Sequence, residues 1–181
     1  WEGNINQGGD YRVGSGYVGK QYILDAINLS EIVSEKYDFL LSSNCLEHVA
    51  NPIKALFEWC RIIKVGGAII LVLPNKKSNF DHRRAVTPFS HLLDDYKKNV
   101  EEDDLSHLGE ILNLHDLSRD PMAGSKTNFY ARSLDNYNNR TLHHHVFDLN
   151  SMAEMLSYVG FDVVDLIETH TDLFALAIKS K

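Results

Sequence analysis

YDFLLSSNCLEHVANPIKALFEWCRIIKVGGAIILVLP, residues 37–74, is the stretch whose reading decides the fold. Its two apolar runs, YDFLLSS at 37–43 and AIILVL at 68–73, do not alternate cleanly with polar residues. Strands covered on both faces, as in parallel sheets, read this way. Between the runs, Asn51 is placed to cap a helix with Pro52 at its first position. Ile53, Leu56, Phe57, Cys60 and Ile63 then share one helical face. Gly66-Gly67 is expected to stop that helix, and Pro74, which has no amide hydrogen, to end the second strand. Strand, helix and strand so arranged predict a right-handed crossover in a parallel sheet, with residues 37–43 central in it.

Upstream, the first 19 residues hold six glycines, at 3, 8, 9, 14, 16 and 19, and read as loop. Residues 21–26 contain a short strand candidate, Tyr22-Ile23-Leu24, that ends at Asp25, and residues 28–34 make at most a helical turn. Gly14-Ser15-Gly16-Tyr17-Val18-Gly19 has the GxGxxG spacing of dinucleotide-binding loops. That fingerprint works only between a strand and a helix. Here the lead-in is polar and residues 20–24 read as strand, so the match is taken as chance.

Downstream, residues 77–142 read as a helical insertion, with helices at 87–99, 105–117 and 126–139. Its acidic residues, Asp94, Asp95 and the run from Glu101 to Asp104, suit a solvated face, and the same segment suits a lid over a substrate pocket. The α/β pattern returns at Val146-Phe147. Asp148 or Asn150 caps a helix to Tyr158 that Gly160 stops. Residues 161–167 and 173–178 then predict an antiparallel hairpin on the sheet edge. The expected organisation is one α/β domain over 1–181: a glycine-rich segment at 1–19, a core at 20–76 and 143–181, and the insertion at 77–142.

The 181-residue length suits one domain, and 44% hydrophobic with 24% charged residues suits a globular one. A net charge of −7 repels phosphate backbones and anionic lipid, so neither nucleic acid nor a membrane is the expected partner. The longest apolar run, 68–74, is too short to span a bilayer, no secretory leader is visible, and a cytoplasmic location is expected. Cys45 and Cys60 are expected to be reduced, buried core residues. The chain opens at Trp1, which suggests a fragment whose true N-terminus lies further upstream.

The 37–74 stretch resembles class I S-adenosylmethionine-dependent methyltransferases, in particular the type 11 group of small-molecule enzymes. The resemblance is carried by Ser43-Asn44, Leu46-Glu47-His48, Pro52, Arg61, Gly66-Gly67 and Pro74, with Val65 where the group usually has Pro. Asp25-Ala26-Ile27-Asn28-Leu29 resembles the group's segment beside the adenine, and His145-Val146-Phe147 and Gly160-Phe161 resemble its C-terminal elements. The resemblance implies a Rossmann-like sheet, mostly parallel with an antiparallel hairpin at its C-terminal end. It also implies a glycine-rich loop and a ribose-binding acid upstream of Asp25. The 24 residues before Asp25 show neither, so the fold is expected to be N-terminally incomplete.

In open sheets ligands lie beyond the carboxyl ends of the strands, where Asp25, Ala26, Ser43 and Asn44 fall. A carboxylate there can accept hydrogen bonds from the exocyclic amine of adenine, so these four are the expected S-adenosylmethionine contacts. The plainer readings are a turn acid for Asp25 and a turn residue for Asn44. His48, at the cleft, and His82, beside the predicted mouth, are the candidates to move a proton. Arg83 and Arg84 could grip a carboxylate or phosphate, or anchor the acidic insertion, and His145 is a third substrate candidate. His143-His144-His145 looks like a metal tract. Adjacent strand residues face opposite sides and no Cys or carboxylate stands at ligand spacing nearby, so no metal is expected.

The function expected is methyl transfer from S-adenosylmethionine to a small molecule. Alignment matters more in that reaction than a dedicated base, and no catalytic triad is visible. The alternatives are a non-catalytic, methyltransferase-like binding module that has lost the cofactor loop, and a metal-dependent hydrolase using the histidines. The oligomeric state stays open, with a homodimer as one option.

Overall fold

The computed structural model describes residues 6–13 and 16–180. Strands β1 (Asp10–Val13) and β2 (Tyr17–Lys20) form an antiparallel hairpin with Asp10 opposite Lys20. The loop expected over 1–19 is therefore partly strand: DYRV and YVGK carry aromatic and β-branched residues. Of the GxGxxG stretch, Gly14 and Ser15 lie outside the described residues, and Tyr17–Lys20 is strand, as the rejection of that motif requires. Residues 21–25 carry no regular secondary structure, which corrects the strand expected there.

The main sheet has four strands, β3 (Tyr37–Ser43), β4 (Ile63–Pro74), β5 (Phe161–Glu168) and β6 (Asp172–Lys179), in the order β3-β4-β6-β5. β3 and β4 are parallel, and β6 is antiparallel to both β4 and β5. Three strands thus run one way and β6 alone is reversed, which is the mixed, mostly codirectional sheet expected. Helix α1 (Pro52–Ile62) makes the β3–β4 connection, with Asn51 Oδ1 accepting from Lys54 N at 3.1 Å.

Gly66-Gly67 does not stop α1; it lies inside β4. The register jumps from Tyr37↔Ile63 to Phe39↔Ala68, so the intervening residues bulge, with Gly66 at φ +78°. At Gly67 a Cβ would sit 2.7 Å from the Asp38 carbonyl oxygen, so this approach of two strands admits only glycine.

The core lies on one face of the sheet. Leu56 and Trp59 of α1 pack with Ile69, Leu71 and Leu73 of β4, and with Met152 and Met155 of α6 (Leu149–Tyr158). A capping box between Asp148 and Ser151 starts α6, and Gly160, at φ +102°, follows it. The opposite face is open among the described residues: Phe39 is 63% and Leu41 61% exposed. β3 is an edge strand, which corrects the central, doubly covered position expected for it. Its apolar run has no helical layer on that second face among the described residues.

Four helices fall within residues 77–142: α2 (Phe89–Lys98), α3 (Leu108–Leu114), α4 (Lys126–Leu134) and α5 (Asn136–Asn139). The helix read over 126–139 is divided at Asp135, and the one read over 105–117 is shorter at both ends. This region sits on residues 48–51, just past the carboxyl end of β3. Glu102 accepts from Ala50 N at 3.2 Å, Asn51 Nδ2 donates to Asp95 O at 3.2 Å, and His48 Nδ1 donates to Leu142 O at 3.1 Å. No helix among the described residues is long and apolar enough to cross a membrane.

Candidate functional site

The carboxyl end of β3 leads directly into the site. Ser43 and Asn44 are exposed, and Asn44 is held at φ +48° while its N–H donates to Val72 O of β4 at 3.0 Å. A left-handed residue at a strand end turns the chain sharply, and Asn tolerates it better than most residues. The turn delivers Glu47 and His48 beneath the insertion. Glu47 is 2% exposed, its Oε2 has no hydrogen-bond partner, and burial raises its carboxyl pKa against the opposing pull of His143.

His48 meets His143 edge to face, with centroids 4.6 Å apart. Burial, followed by the charge of His143, lowers the His48 pKa to about 4, so the ring is neutral at pH 7. His143 Nδ1 lies 2.5 Å from Asp81 Oδ2, and Arg84 Nη1 lies 3.0 Å from Asp81 Oδ1. Burial alone would raise the Asp81 pKa. The hydrogen bond and charge of His143, with Arg84 behind them, outweigh it and hold the carboxylate ionised.

Beside this floor opens a polar groove of about 930 Å³ that includes Asp25, Lys54, Glu102, Tyr137 and Arg140. Arg140 Nη2 lies 3.1 Å from Asp25 Oδ2, and its Nη1 lies 2.6 Å from Glu102 Oε2. The charge of Asp25 also reaches Cys45, the residue after Asn44. Ala26 contributes its carbonyl, which accepts from Trp59 Nε1 at 3.2 Å and fixes the 25–29 segment on α1. Arg61 fixes the residues that follow, donating to Leu29 O and to Ile32 O, each at 2.8 Å. Cys60 is buried, but Cys45 is exposed at this rim, against expectation; both are free thiols.

The remaining candidates are placed differently. His82 Nε2 and Arg83 Nη2 each lie 2.9 Å from Asp116 Oδ2, a tie internal to the 77–142 region. The Asp116 carboxyl is held well below its usual range by the hydrogen bonds of Ser118 and then of His82. Arg84 cannot reach a substrate. It is 1% exposed and donates to Asp81, Glu110, His143 O and His144 O. His145 is likewise 1% exposed, with Nε2 3.1 Å from Ala50 O. Arg84 is buried within the 77–142 region and His145 beside Ala50, and the sequence could not show how deeply residues 143–145 would be covered. Asp81 and His143 were missed as a pair, although Asp81 stands three residues before an Arg that needed a buried partner.

The arrangement defines an α/β domain with a polar cleft beyond the carboxyl end of its edge strand. The family described as "Methyltransferase domain" matches residues 9–166, and the chain belongs to it. The α/β fold class and the methyltransferase class expected from the sequence agree with this membership. No curated protein matches the chain. Among solved structures, an S-adenosylmethionine-dependent methyltransferase from Methanosarcina mazei is 17% identical over 92% of this chain and 70% of its own, with a TM-score of 0.49. One from Thermotoga maritima is 19% identical over 85% of this chain and 61% of its own, with a TM-score of 0.44. An arsenic(III) S-adenosylmethionine methyltransferase from Chlamydomonas reinhardtii is 9% identical over 88% and 44%, with a TM-score of 0.38. The chain spans 47%, 60% and 43% of the length of three further solved chains that it resembles.

Proposed function

We propose that the chain carries the adenine side of an S-adenosylmethionine site, and that the protein transfers the methyl group to a small-molecule acceptor. When bound, the cofactor supplies an electrophilic methyl group on a sulfonium. The chain's own part is to bind and align. Asp25 would accept from the adenine amine, with Ala26, Ser43 and Asn44 forming the adjoining wall. Neutral His48, beside the unpartnered Glu47 carboxyl, is the group placed to take a proton from an acceptor. Arg83, 51% exposed in its side chain, has donors left for an anionic acceptor, and His82 stands beside it. The observation that carries the reading is Asp25, whose carboxylate borders the polar groove. The net charge of −7 favours a small acceptor over a polyanion.

Among the described residues before Asp25 there is a hairpin, and no strand followed by a glycine-rich turn into a helix. Nothing described there holds the methionine carboxylate or the ribose. Each lost pairing costs about 1–3 kcal/mol, about ten- to a hundredfold in affinity. Binding to this chain is therefore expected to be millimolar and to involve the adenine alone. Saturation-transfer NMR with S-adenosylhomocysteine tests it. Saturation should reach the adenine protons and not the homocysteine methylenes, and Asp25→Ala should abolish it. No transfer to adenine, or transfer unchanged in Asp25→Ala, would overturn the placement.

A further inference from the structure

Apart from the methyl-transfer cleft, the structure gathers three histidines and one carboxylate at a single point. We propose that His91, Asp95, His107 and His145 bind one divalent transition-metal ion of the zinc class, which clamps the insertion onto the core.

His91 and Asp95 stand four residues apart on α2 and so project from the same face. His107 immediately precedes α3, and His145 lies in the extended stretch that returns the chain to the core. His91 Nε2 is 3.2 Å from His107 Nε2 and 3.2 Å from Asp95 Oδ2, and His145 Nε2 approaches Asp95 Oδ2 at 3.8 Å. One ligand atom from each of the four residues lies within 4.8 Å of the other three. A tetrahedral ion with bonds of about 2.0–2.1 Å separates its ligand atoms by about 3.3–3.4 Å. The two 3.2 Å separations are already the edges of such a tetrahedron.

The cluster is poorly satisfied by its own hydrogen bonds. Two facing imidazole nitrogens can share only one proton. Asp95 Oδ2 and His145 Nδ1 are buried without hydrogen-bond partners. Such orphans destabilise a fold unless something binds them. The outer surroundings also suit a cation. Glu110 Oε2 is 4.0 Å from His107 Nδ1, and the charge of Asp104 acts on Asp95 and His107. His145 Nε2 donates to the Ala50 carbonyl at 3.1 Å, an outer contact that orients the ring and leaves its unpartnered Nδ1 as the ligating nitrogen.

Three imidazoles, one carboxylate and no thiolate select zinc, cobalt or nickel over calcium, magnesium or copper(I). Four protein ligands close a tetrahedron and leave no position for substrate, so the ion is structural. The inference is independent of methyl transfer.

The test uses the full chain, stripped with a chelator and reloaded with Zn(II) or Co(II). The expected results are one metal per chain after gel filtration, a higher melting temperature with metal, and a tetrahedral Co(II) absorption spectrum. His91→Gln, at a half-exposed position that tolerates the change, should weaken Zn(II) binding at least a hundredfold and abolish that spectrum. Asp95→Asn should do the same, with circular dichroism verifying that it folds. His170→Gln, at an exposed histidine outside the cluster, should bind as the parent does. Less than half an equivalent of metal with no change in melting temperature would overturn the proposal. So would binding that persists unchanged in both His91→Gln and Asp95→Asn.

Discussion

Arg84 holds Asp81 at 3.0 Å in a pocket where the two side chains are 1% and 3% exposed. Both residues belong to the 77–142 region, and the remaining Arg84 donors reach Glu110 and the carbonyls of His143 and His144. Removing one partner of a buried ion pair leaves the other charged and unsolvated, which typically costs about 3–5 kcal/mol. Arg84→Leu is therefore expected to destabilise the chain by about 3–5 kcal/mol in urea. Arg84→Leu combined with Asp81→Leu should recover part of that loss. A single variant within 1 kcal/mol of the parent would show that the pair contributes little.

The two faces of the sheet give a second contrast. Phe39 is 63% exposed, whereas Leu71 on the neighbouring strand is fully buried. Phe39→Ser is expected to change stability by less than about 1 kcal/mol. Leu71→Ala should cost about 2–5 kcal/mol, because it leaves a cavity between β4 and the α1–α6 layer. Equilibrium denaturation of both variants measures the difference. Equal losses would mean that the outer face of β3 is covered in solution.

These two residues also show what the sequence could and could not reveal. The bounds of β3 and the Asn51–Pro52 helix start were readable because apolar runs and caps are local signals. Burial of β3 was misread because a continuous apolar run records what a strand can tolerate on each face, not what covers it. The position of Asn44 just past β3 was legible from the apolar run, whereas Asp25 was singled out through the family resemblance, at the end of a strand that the structure does not form. The His91, Asp95, His107 and His145 group was not legible, because its members are brought together by folding from positions 91 to 145. The only local signal was the four-residue spacing of His91 and Asp95. The tract at 143–145 drew attention to itself, yet its three rings face three different surroundings: Asp81, Asn136 and Ala50.

Gly67 sets a third expectation. A Cβ there would meet the Asp38 carbonyl oxygen and Ile63 Cγ2 at 2.7 Å, and the Lys64 carbonyl oxygen at 2.9 Å. Two of these neighbours are backbone atoms, which cannot swing aside as a flexible side chain would. Gly67→Ala should therefore destabilise the chain by about 1–3 kcal/mol by forcing β3 and β4 apart at the bulge. Gly109, with open space around its Cβ position, is the control: Gly109→Ala in α3 should be neutral or stabilising. Thermal melts of the two variants compare them directly, and similar shifts would contradict the close approach.

His48 links stability to pH. Its pKa falls from 6.5 to about 4 in the folded chain, chiefly through burial, followed by the charge of His143. A group whose folded pKa is depressed takes up its proton first in the unfolded state. Above pH 6.5 the ring is neutral in both states and costs nothing. As pH falls from 6.5 towards 4, the unfolded chain gains a proton that the folded chain refuses, and stability is lost across that window. With the His48 side chain 30% exposed, solvent trims the full linkage value, and the loss expected from this residue is about 2 kcal/mol. Carboxyl groups complicate the raw pH curve, since Glu47 is shifted upward and Asp81 downward. The comparison is therefore with His48→Asn, whose amide can still donate to Leu142 O as Nδ1 does. Unfolding free energies of both proteins should run parallel above pH 7. They should converge or cross between pH 6.5 and 4 as the parent loses about 2 kcal/mol more. Parallel curves throughout would place His48 in contact with water and remove it from the buried floor of the cleft.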